Sequence, residues 1–223
     1  GRVYVPASAS GPKLRQIEAY GAEVCAIAGP RSAAAAAVLN EAESGVPYAS
    51  HAYLPFGLAG IATIAYELWE AGVQPGSVVA PVGHGGLLLG LLRGYAALQR
   101  AGLVRAGPHF VAVQAAACAP LVQAALTGGT LVEAGEGLTV AEGVRVRMPM
   151  RGAAILRAAP SGQHTYLAVA EDAILPAYRR LAERGIYVEP TSALVWAAFE
   201  QLRGKIPEPV ILILTGSGLK YAG

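Results

Sequence analysis

Short apolar runs alternate with amphipathic stretches along most of this chain. The apolar runs predict β-strands, and the amphipathic stretches between them predict helices. Strands that alternate with helices are typical of an α/β fold, in which crossover helices join the strands of a parallel sheet. The predicted strands are residues 2–6, 23–28, 77–82, 109–114, 165–169 and 209–214, and the predicted helices are residues 12–20, 32–43, 56–71, 86–101, 120–126, 172–184 and 192–203. Residues 128–151 combine glycines with mixed polarity and predict loops.

The composition shows an unusually small proportion of charged residues. Of the 223 residues, 54% are hydrophobic and only 14% are charged, whereas a typical domain carries about 25% charged residues. The two longest uncharged stretches, residues 71–92 and 106–132, each contain two prolines and several glycines, so neither predicts a membrane span. We therefore expect a surface that a second subunit or a further part of the polypeptide covers. Four leucines of one predicted helix are expected to belong to that surface: Leu88, Leu89, Leu91 and Leu92.

Charge and cysteine content exclude some classes of partner. The net charge is +2 and no run of Lys or Arg occurs, so the sequence predicts no nucleic-acid binding. Cys25 and Cys118 have no paired spacing, which is typical of reduced thiols in a cytoplasmic protein. The four histidines share no metal-ligand spacing, so we predict no metal site. A strand-like run follows Gly1 at once, and we expect the chain to be a fragment of a longer protein.

A glycine-rich turn after the predicted strand at residues 77–82 is the strongest local signal. Gly83, Gly85 and Gly86 lie where a strand ends and a helix begins. Successive backbone N–H groups there can point into one concavity at the positive end of a helix dipole, which suits a phosphate. A side chain at Gly85 is expected to fill that concavity. An ordinary strand-to-helix turn remains an equally open interpretation.

Two nucleotide-binding interpretations of this turn are weaker. A P-loop requires Lys and Ser or Thr after its glycines, but Leu87 follows Gly86. A dinucleotide fold needs an acidic residue about 20 positions further on, and no Asp or Glu occurs between Glu70 and Glu133. A smaller phosphate ligand fits better, although a nucleotide-dependent enzyme stays open.

The predicted last strand runs into a polar segment, Thr215 to Lys220. Ligands in parallel sheets bind at the carboxyl ends of strands. If this strand neighbours the strand at residues 77–82, Thr215 and Ser217 would face the turn at Gly83–Gly86. A hydroxyl group there could hydrogen-bond a heterocyclic nitrogen without fully protonating it. The alternative is a simple capped strand end.

A third segment, Val188–Ala193, combines an acidic residue with two hydroxyls. Thr191 or Ser192 could cap the helix that follows. Glu189 follows a short apolar run at residues 186–188, and we expect it at the end of a strand, where a sheet would present it to a ligand.

Taken in order, these segments resemble fold-type-II pyridoxal-phosphate enzymes, most closely the threonine-synthase-like group of the tryptophan synthase β-like superfamily. The resemblance is collinear over nearly the whole chain and includes the segments Pro81–Gly86, Val188–Ala193 and Leu214–Lys220. It implies a parallel sheet with helices on both faces. It also implies that residues 1–48 are the remaining part of a small domain and residues 49–223 a large cofactor-binding domain.

The same resemblance implies a set of cofactor contacts. The backbone amides of Gly83, His84, Gly85, Gly86 and Leu87 would hold the phosphate of pyridoxal 5′-phosphate. Thr215 would face the pyridine nitrogen, with Glu189 and Ser217 on the cofactor side of their turns. A neutral hydroxyl partner makes the ring a weaker electron sink than a carboxylate partner would. Such a ring suits elimination or replacement at Cβ or Cγ more than transamination. Residues 141–143 would lie along the ring.

One departure from the family concerns the catalytic lysine. Family members form a Schiff base between the cofactor and a lysine in a segment that precedes the part resembled here. The lysines of this chain, Lys13, Lys205 and Lys220, match no such position. We therefore expect no catalytic residue in this chain, and association either as a homodimer or with the missing N-terminal segment. The leading hypothesis is part of an amino-acid lyase or synthase, and the alternative is a non-catalytic remnant that binds the cofactor or phosphate.

Overall fold

The computed structural model describes residues 1–9, 11–54, 56–128, 130–135, 137–160 and 163–221. The chain forms two compact units, one from residues 1–53 together with the segment from Leu219, and one from residues 54–218. The assignment of residues 1–48 to a small domain and 49–223 to a large cofactor-binding domain remains a prediction.

The smaller unit is built on two parallel strands, β1 (Arg2–Pro6) and β2 (Glu23–Ile27), with Arg2 opposite Glu23 in the register. Two helices accompany them, α1 (Pro12–Ala19) and α2 (Arg31–Glu43). Arg2 forms ion pairs with Glu23 on the neighbouring strand and with Glu41 on α2, which connects the three elements.

The larger unit contains a four-stranded parallel sheet in the order β5-β4-β3-β6. Because every neighbour pair is parallel, the chain must cross the sheet between strands, and helices make these crossovers. The strands are β3 (Ser77–Pro81), β4 (His109–Ala115), β5 (Thr165–Val169) and β6 (Val210–Leu212). The helices are α3 (Gly57–Glu70), α4 (Gly86–Arg100), α5 (Pro120–Thr127), α6 (Gly152–Ala158), α7 (Glu171–Ala182) and α8 (Pro190–Leu202).

Two hydrophobic cores flank this sheet, one on each face. Val78 and Ala80 of β3 face the core that α3 and α4 cover. Val79, between them, faces the core that α7 and α8 cover. This alternation along a strand follows from its two-residue repeat. The predicted α/β fold, with helices on both faces of a parallel sheet, is confirmed.

The helix pair α3 and α4 packs closely because α4 has glycine at two positions that lie against α3. A Cβ atom on Gly90 would lie 2.5 Å from Cγ2 of Ile61, and one on Gly94 would lie 2.6 Å from the carbonyl oxygen of Ala62. The expectation that the leucines of α4 form a surface for a partner is wrong, since they are already buried inside this unit: Leu88, Leu89, Leu91 and Leu92.

Two elements differ from the sequence prediction. Helix α6 was not predicted, because its seven residues carry too short an apolar pattern. Strand β6 was predicted over residues 209–214 but has three residues, Val210–Leu212. Beyond it the backbone N–H groups of Thr215 and Gly216 bond to the side chain of Ser192.

No helix within the described residues has the length and apolar character needed to cross a lipid bilayer.

Candidate functional site

The carboxyl ends of the parallel strands meet at one edge of the larger unit's sheet. At this edge the chain leaves β3 through Val82, whose N–H donates to the carbonyl of Val113 at 2.8 Å. The carbonyl of Val82 accepts from Nε2 of Gln114 at 3.2 Å. Oε1 of Gln114 in turn accepts the N–H groups of Leu121 and Val122 at the start of α5, so this buried amide fixes where the glycine turn begins.

The glycine turn has the predicted strand-to-helix geometry. Its glycines, however, are required because neighbouring protein atoms lie too close for a side chain, and not because a side chain would fill an anion site. Gly85 has φ of 90° and lies in the left-handed region, which glycine adopts without strain. A Cβ atom there would lie 2.5 Å from Cδ1 of Ile155, so a side chain would strike the core and would not fill an anion concavity. A Cβ atom on Gly83 would lie 2.6 Å from the carbonyl oxygen of Gly143. The glycines let neighbouring backbone pack against the turn.

The turn leads directly into the N terminus of α4, a helix of 15 residues that begins at Gly86. The first N–H groups of a helix have no acceptor within it. In the described part of the chain, the N–H groups of Gly86 and Leu87 donate to no recorded partner. Together with the positive end of the helix dipole, these donors favour an anion at this position.

Thr215 reaches the same edge from the neighbouring strand. Strands β3 and β6 pair in parallel with Val79 opposite Leu212, and Thr215 follows three residues after Leu212, beyond the carboxyl end of β6. The predicted adjacency of these two strands is therefore correct. The side chain of Thr215 is exposed, so a ligand at the strand ends can reach its hydroxyl.

Ser192 holds Thr215 in place. This residue is completely buried at the start of α8. Its Oγ accepts the N–H of Thr215 at 2.9 Å and that of Gly216 at 3.0 Å, and it lies 3.2 Å from Oγ1 of Thr215. The expectation that Ser192 caps its helix is wrong, because the N-cap residue is Glu189 and no side chain caps the helix.

Thr191, the other expected cap, connects the start of α8 to the glycine turn. Its Oγ1 accepts the N–H of Gly143 at 3.1 Å, and the carbonyl of Gly143 lies against Gly83. The 3-10 turn Glu142–Val144 thus lies between the glycine turn and α8. The segment predicted to lie along the ring is next to the glycine turn, and its position relative to a cofactor remains a prediction.

Glu189 and Ser217 lie together beside Thr215. The side chain of Glu189 occupies the space that a Cβ atom on Gly216 would need. Ser217 forms an isolated antiparallel bridge with Val188. The run at residues 186–188 is therefore not a strand of the parallel sheet, and the expected reason for the position of Glu189 is wrong. This bridge, not a strand end, brings Glu189 to the edge.

The amino ends of the strands carry a hollow of about 430 Å³. Its walls include His109 and His164, but these histidines already hydrogen-bond other groups. Nδ1 of His109 donates to the carbonyl of Gln163 at 3.0 Å, and Nε2 accepts from Oγ1 of Thr165 at 2.9 Å. Nδ1 of His164 accepts the N–H of Phe110 at 3.0 Å. We therefore place the candidate site at the carboxyl edge.

No three His, Cys, Asp or Glu side chains in the described segments lie close enough together to hold a metal ion. The residues at the carboxyl edge instead fit a phosphorylated heterocycle. Helix N–H donors and a glycine turn supply an anion site, and an exposed hydroxyl on the neighbouring strand supplies a partner for a ring nitrogen. The sequence did not identify Gln114, Thr191 or Ser192 as parts of this arrangement. The only signal was the pair of hydroxyl residues at the start of α8, which also suits ordinary capping.

Comparison with known proteins agrees with this fit. A family model described as pyridoxal-phosphate dependent enzyme matches residues 1–216. The chain therefore belongs to the pyridoxal-phosphate-dependent enzymes of fold type II. It is 30% identical to threonine synthase of Methanocaldococcus jannaschii, over 93% of this chain and 53% of the relative. It is 31% identical to threonine synthase of Synechocystis sp., over 93% of this chain and 54% of the relative. The chain thus spans about half the length of these curated relatives.

Solved structures show the same fold. A threonine deaminase from T.th. superposes with a TM-score of 0.79 at 29% identity, and the match covers 100% of this chain and 71% of the other. Maize serine racemase superposes with a TM-score of 0.80 at 18% identity, and the match covers 97% of this chain and 65% of the other. At that low identity the second likeness shows the fold alone.

Proposed function

We propose that this chain is the cofactor-holding part of a pyridoxal-phosphate-dependent amino-acid lyase or synthase of the threonine-synthase-like group. One observation supports this most strongly. The N terminus of α4 and the Thr215 hydroxyl lie at the same sheet edge, connected through the turn at Glu142–Val144 and the start of α8. An anion site and a hydroxyl on adjacent strands match the two polar ends of a phosphorylated pyridine.

In this proposal each group of the edge has one task. The N–H groups from Gly83 to Leu87, including that of His84, bind the phosphate, and the α4 dipole adds to its stability. Thr215 donates a hydrogen bond to the ring nitrogen. Glu189 and Ser217 border the ring at their antiparallel bridge.

When bound, pyridoxal phosphate withdraws electrons from an attached amino acid, which permits elimination or replacement at Cβ or Cγ. The residues of this chain would orient the cofactor, and we assign no catalytic group to it. Lys205 is exposed in the segment between α8 and β6, which leads to the amino end of the sheet. Lys13 and Lys220 belong to the smaller unit. We infer that the lysine bonded to the cofactor comes from a part of the protein outside these residues, so that the chain alone has no turnover.

Titration of the chain with pyridoxal phosphate, followed by absorbance and fluorescence, tests this function. We expect saturable binding that inorganic phosphate competes away, and no lysine modified after borohydride reduction and mass spectrometry. Thr215→Ala should weaken cofactor binding about fivefold, the loss of one hydrogen bond, and should leave the affinity for inorganic phosphate unchanged. Thr127→Ala, at the exposed end of α5, is the matched control.

Absence of saturable binding would overturn the proposal. A stoichiometric adduct on Lys13, Lys205 or Lys220 would overturn the assignment of the lysine. If the chain binds the cofactor, and adding the rest of the polypeptide restores no elimination or replacement of an amino acid, the non-catalytic alternative holds.

We also propose that the chain associates with a second copy or with the rest of its polypeptide, and that it is a cytoplasmic protein. The supporting observation for association is exposed apolar surface. Phe56, Leu126 and Leu138 of the larger unit are 87%, 78% and 82% exposed, which favours coverage by another surface. Light scattering on the chain alone should show an oligomer, whereas a monodisperse monomer would contradict association between copies.

A further inference from the structure

We propose that Ser192 is a positioning residue that sets the direction of the hydrogen bond between Thr215 and the ring of a bound cofactor. This inference rests on the proposed function and adds a residue to it. It comes from counting the donors and acceptors of two neighbouring hydroxyls.

The hydroxyl of Ser192 has one proton and two lone pairs. Its oxygen accepts the N–H of Thr215 at 2.9 Å and the N–H of Gly216 at 3.0 Å, and these two bonds use both lone pairs. Ser192 therefore has only its proton left to offer. The hydroxyl oxygen of Thr215, at 3.2 Å, receives it. The buried oxygen of Ser192 is then fully satisfied, as buried polar groups generally are.

This arrangement decides the role of Thr215. Because Thr215 Oγ1 accepts from Ser192, the proton of Thr215 must point to another acceptor. Within the described residues no acceptor for that proton is recorded, and the side chain is exposed. Thr215 is thus prepared as a donor toward a ligand at the strand ends. A pyridine nitrogen can accept that bond only when it carries no proton. Ser192 and Thr215 together therefore favour the form of the cofactor whose ring nitrogen is unprotonated.

Ser192 acts on the backbone as well. Its two acceptor bonds hold the N–H groups of two consecutive residues, Thr215 and Gly216, that follow β6 after two intervening residues. These bonds hold the backbone of Thr215 and thereby the position of its side chain at the edge. Ser192 itself touches no ligand in this arrangement, and its effect passes entirely through Thr215.

The test compares two probes that differ at one ring atom: pyridoxal phosphate, and its 1-deaza analogue with carbon in place of the ring nitrogen. Ser192→Ala should weaken binding of pyridoxal phosphate about threefold to tenfold, the range for one hydrogen bond. It should leave binding of the analogue unchanged, because the analogue has no nitrogen to accept the bond. A purely structural role would weaken both probes equally, and that result would overturn the proposal.

Two further variants keep the test decisive. Thr215→Val removes the donor itself, so Ser192→Ala in that background should add no further loss for pyridoxal phosphate. If Ser192→Ala does not fold by circular dichroism, Ser192→Cys replaces it. A thiol keeps similar volume with a weak donor and acceptor, and the same selective loss is expected. Equal loss for both probes in the cysteine variant would overturn the inference.

The outcomes separate this inference from the function on which it rests. If the wild-type chain binds neither probe, the proposed function fails. If wild type binds both probes and Ser192→Ala matches wild type, only the inference fails. Selective loss of pyridoxal phosphate binding in Glu189→Gln, with none in the Ser192 variants, would assign the ring nitrogen to the carboxylate and overturn the inference.

Discussion

The two ends of the four-stranded sheet use their polar groups in opposite ways. At the amino ends, side chains bond the backbone: Ser77 donates to the carbonyl of Pro207, His109 to that of Gln163, and Tyr166 to that of Ala159. At the carboxyl ends, the N–H groups of Gly86 and Leu87 and the hydroxyl of Thr215 stay available to a ligand, as far as the described residues extend. The carboxyl ends of parallel strands are also where α/β proteins bind ligands.

The polar groups at the two ends of the sheet contribute differently to stability and to binding. Side chains that donate to backbone carbonyls, as at the amino ends, stabilise the fold and have few free donors left for a ligand. The carboxyl edge depends on backbone donors, and its buried side chains, such as Gln114 and Ser192, hold that backbone in position. Substitutions at the carboxyl edge should therefore weaken cofactor binding as well as stability, whereas substitutions at the amino ends should lower stability alone.

The largest effect is expected from Gly85→Val, which breaks the carboxyl edge. A β-branched residue at φ of 90° is strained, and its Cβ would lie 2.5 Å from Ile155. We expect a free energy of unfolding lower by about 3 kcal/mol or more from strain and overpacking combined. Binding of pyridoxal phosphate should disappear in titrations. Gly60→Ala, in open space on α3, should change stability by less than about 1 kcal/mol and leave binding intact; a Gly85→Val chain as stable as this control would contradict the geometry.

The second effect concerns Gln114→Leu, which keeps the volume of a buried side chain but removes its amide. The N–H groups of Leu121 and Val122 and the carbonyl of Val82 would lose their partner. Unsatisfied buried groups should cost about 2–4 kcal/mol of the free energy of unfolding, measured by urea denaturation. Because Val82 leads into the glycine turn, cofactor affinity should fall too. Gln123→Leu, exposed on α5, is the matched control, and equal effects of the two variants would refute a role for the Gln114 amide.

A smaller effect is expected from Ser77→Ala at the amino ends. The buried hydroxyl of Ser77 donates to the carbonyl of Pro207 at 2.7 Å. Its loss should lower the free energy of unfolding by about 1–2 kcal/mol and leave the affinity for pyridoxal phosphate unchanged. Thr63→Ala removes an exposed hydroxyl of α3 as a control. Weakened cofactor binding in Ser77→Ala would show that the two ends are coupled.

The smallest effects are pH dependences of stability at the amino ends. Burial, and next the nearby His109, hold the pKa of His164 below its ordinary value. The unfolded chain then takes up a proton at a higher pH than the folded chain does. Stability should therefore fall as the pH drops below about 6.5. Denaturation at about pH 7.5 and about pH 5.5, on either side of the ordinary histidine pKa, measures this. His164→Asn, which keeps an acceptor for the N–H of Phe110 without titrating, should lose less stability on acidification.

A second pH dependence at the amino ends of the strands is expected at high pH. Burial raises the pKa of Tyr166 to about 12. The unfolded chain would release this proton near about pH 10, so the contribution of Tyr166 to stability falls as the pH rises from about 10 toward 12. This change adds to general alkaline denaturation, and comparison with Tyr166→Phe isolates it.

Most of the strands and helices, and the place of the glycine turn, could be predicted from the sequence alone. Alternation of apolar strands with helices predicted β3, β4 and β5 within about one or two residues, because the apolar runs of buried strands stand out between helices. Glycines between a buried strand and a helix located the proposed anion site, because few other residues allow that turn. The order of motifs also pointed to the family that the comparisons show.

The contacts that hold the site residues in place could not be predicted from the sequence. A serine or threonine at a helix start has the same local pattern whether it caps the helix or bonds a distant segment. Ser192 and Thr215 are 23 residues apart, and they form hydrogen bonds because the start of α8 lies against the segment that follows β6. The reason for glycine at position 85 likewise depends on Ile155 of α6, a helix too short to show in the apolar pattern. The sequence gives the chemical groups of each side chain. Their hydrogen-bonding and packing partners depend on which remote segments of the chain pack together.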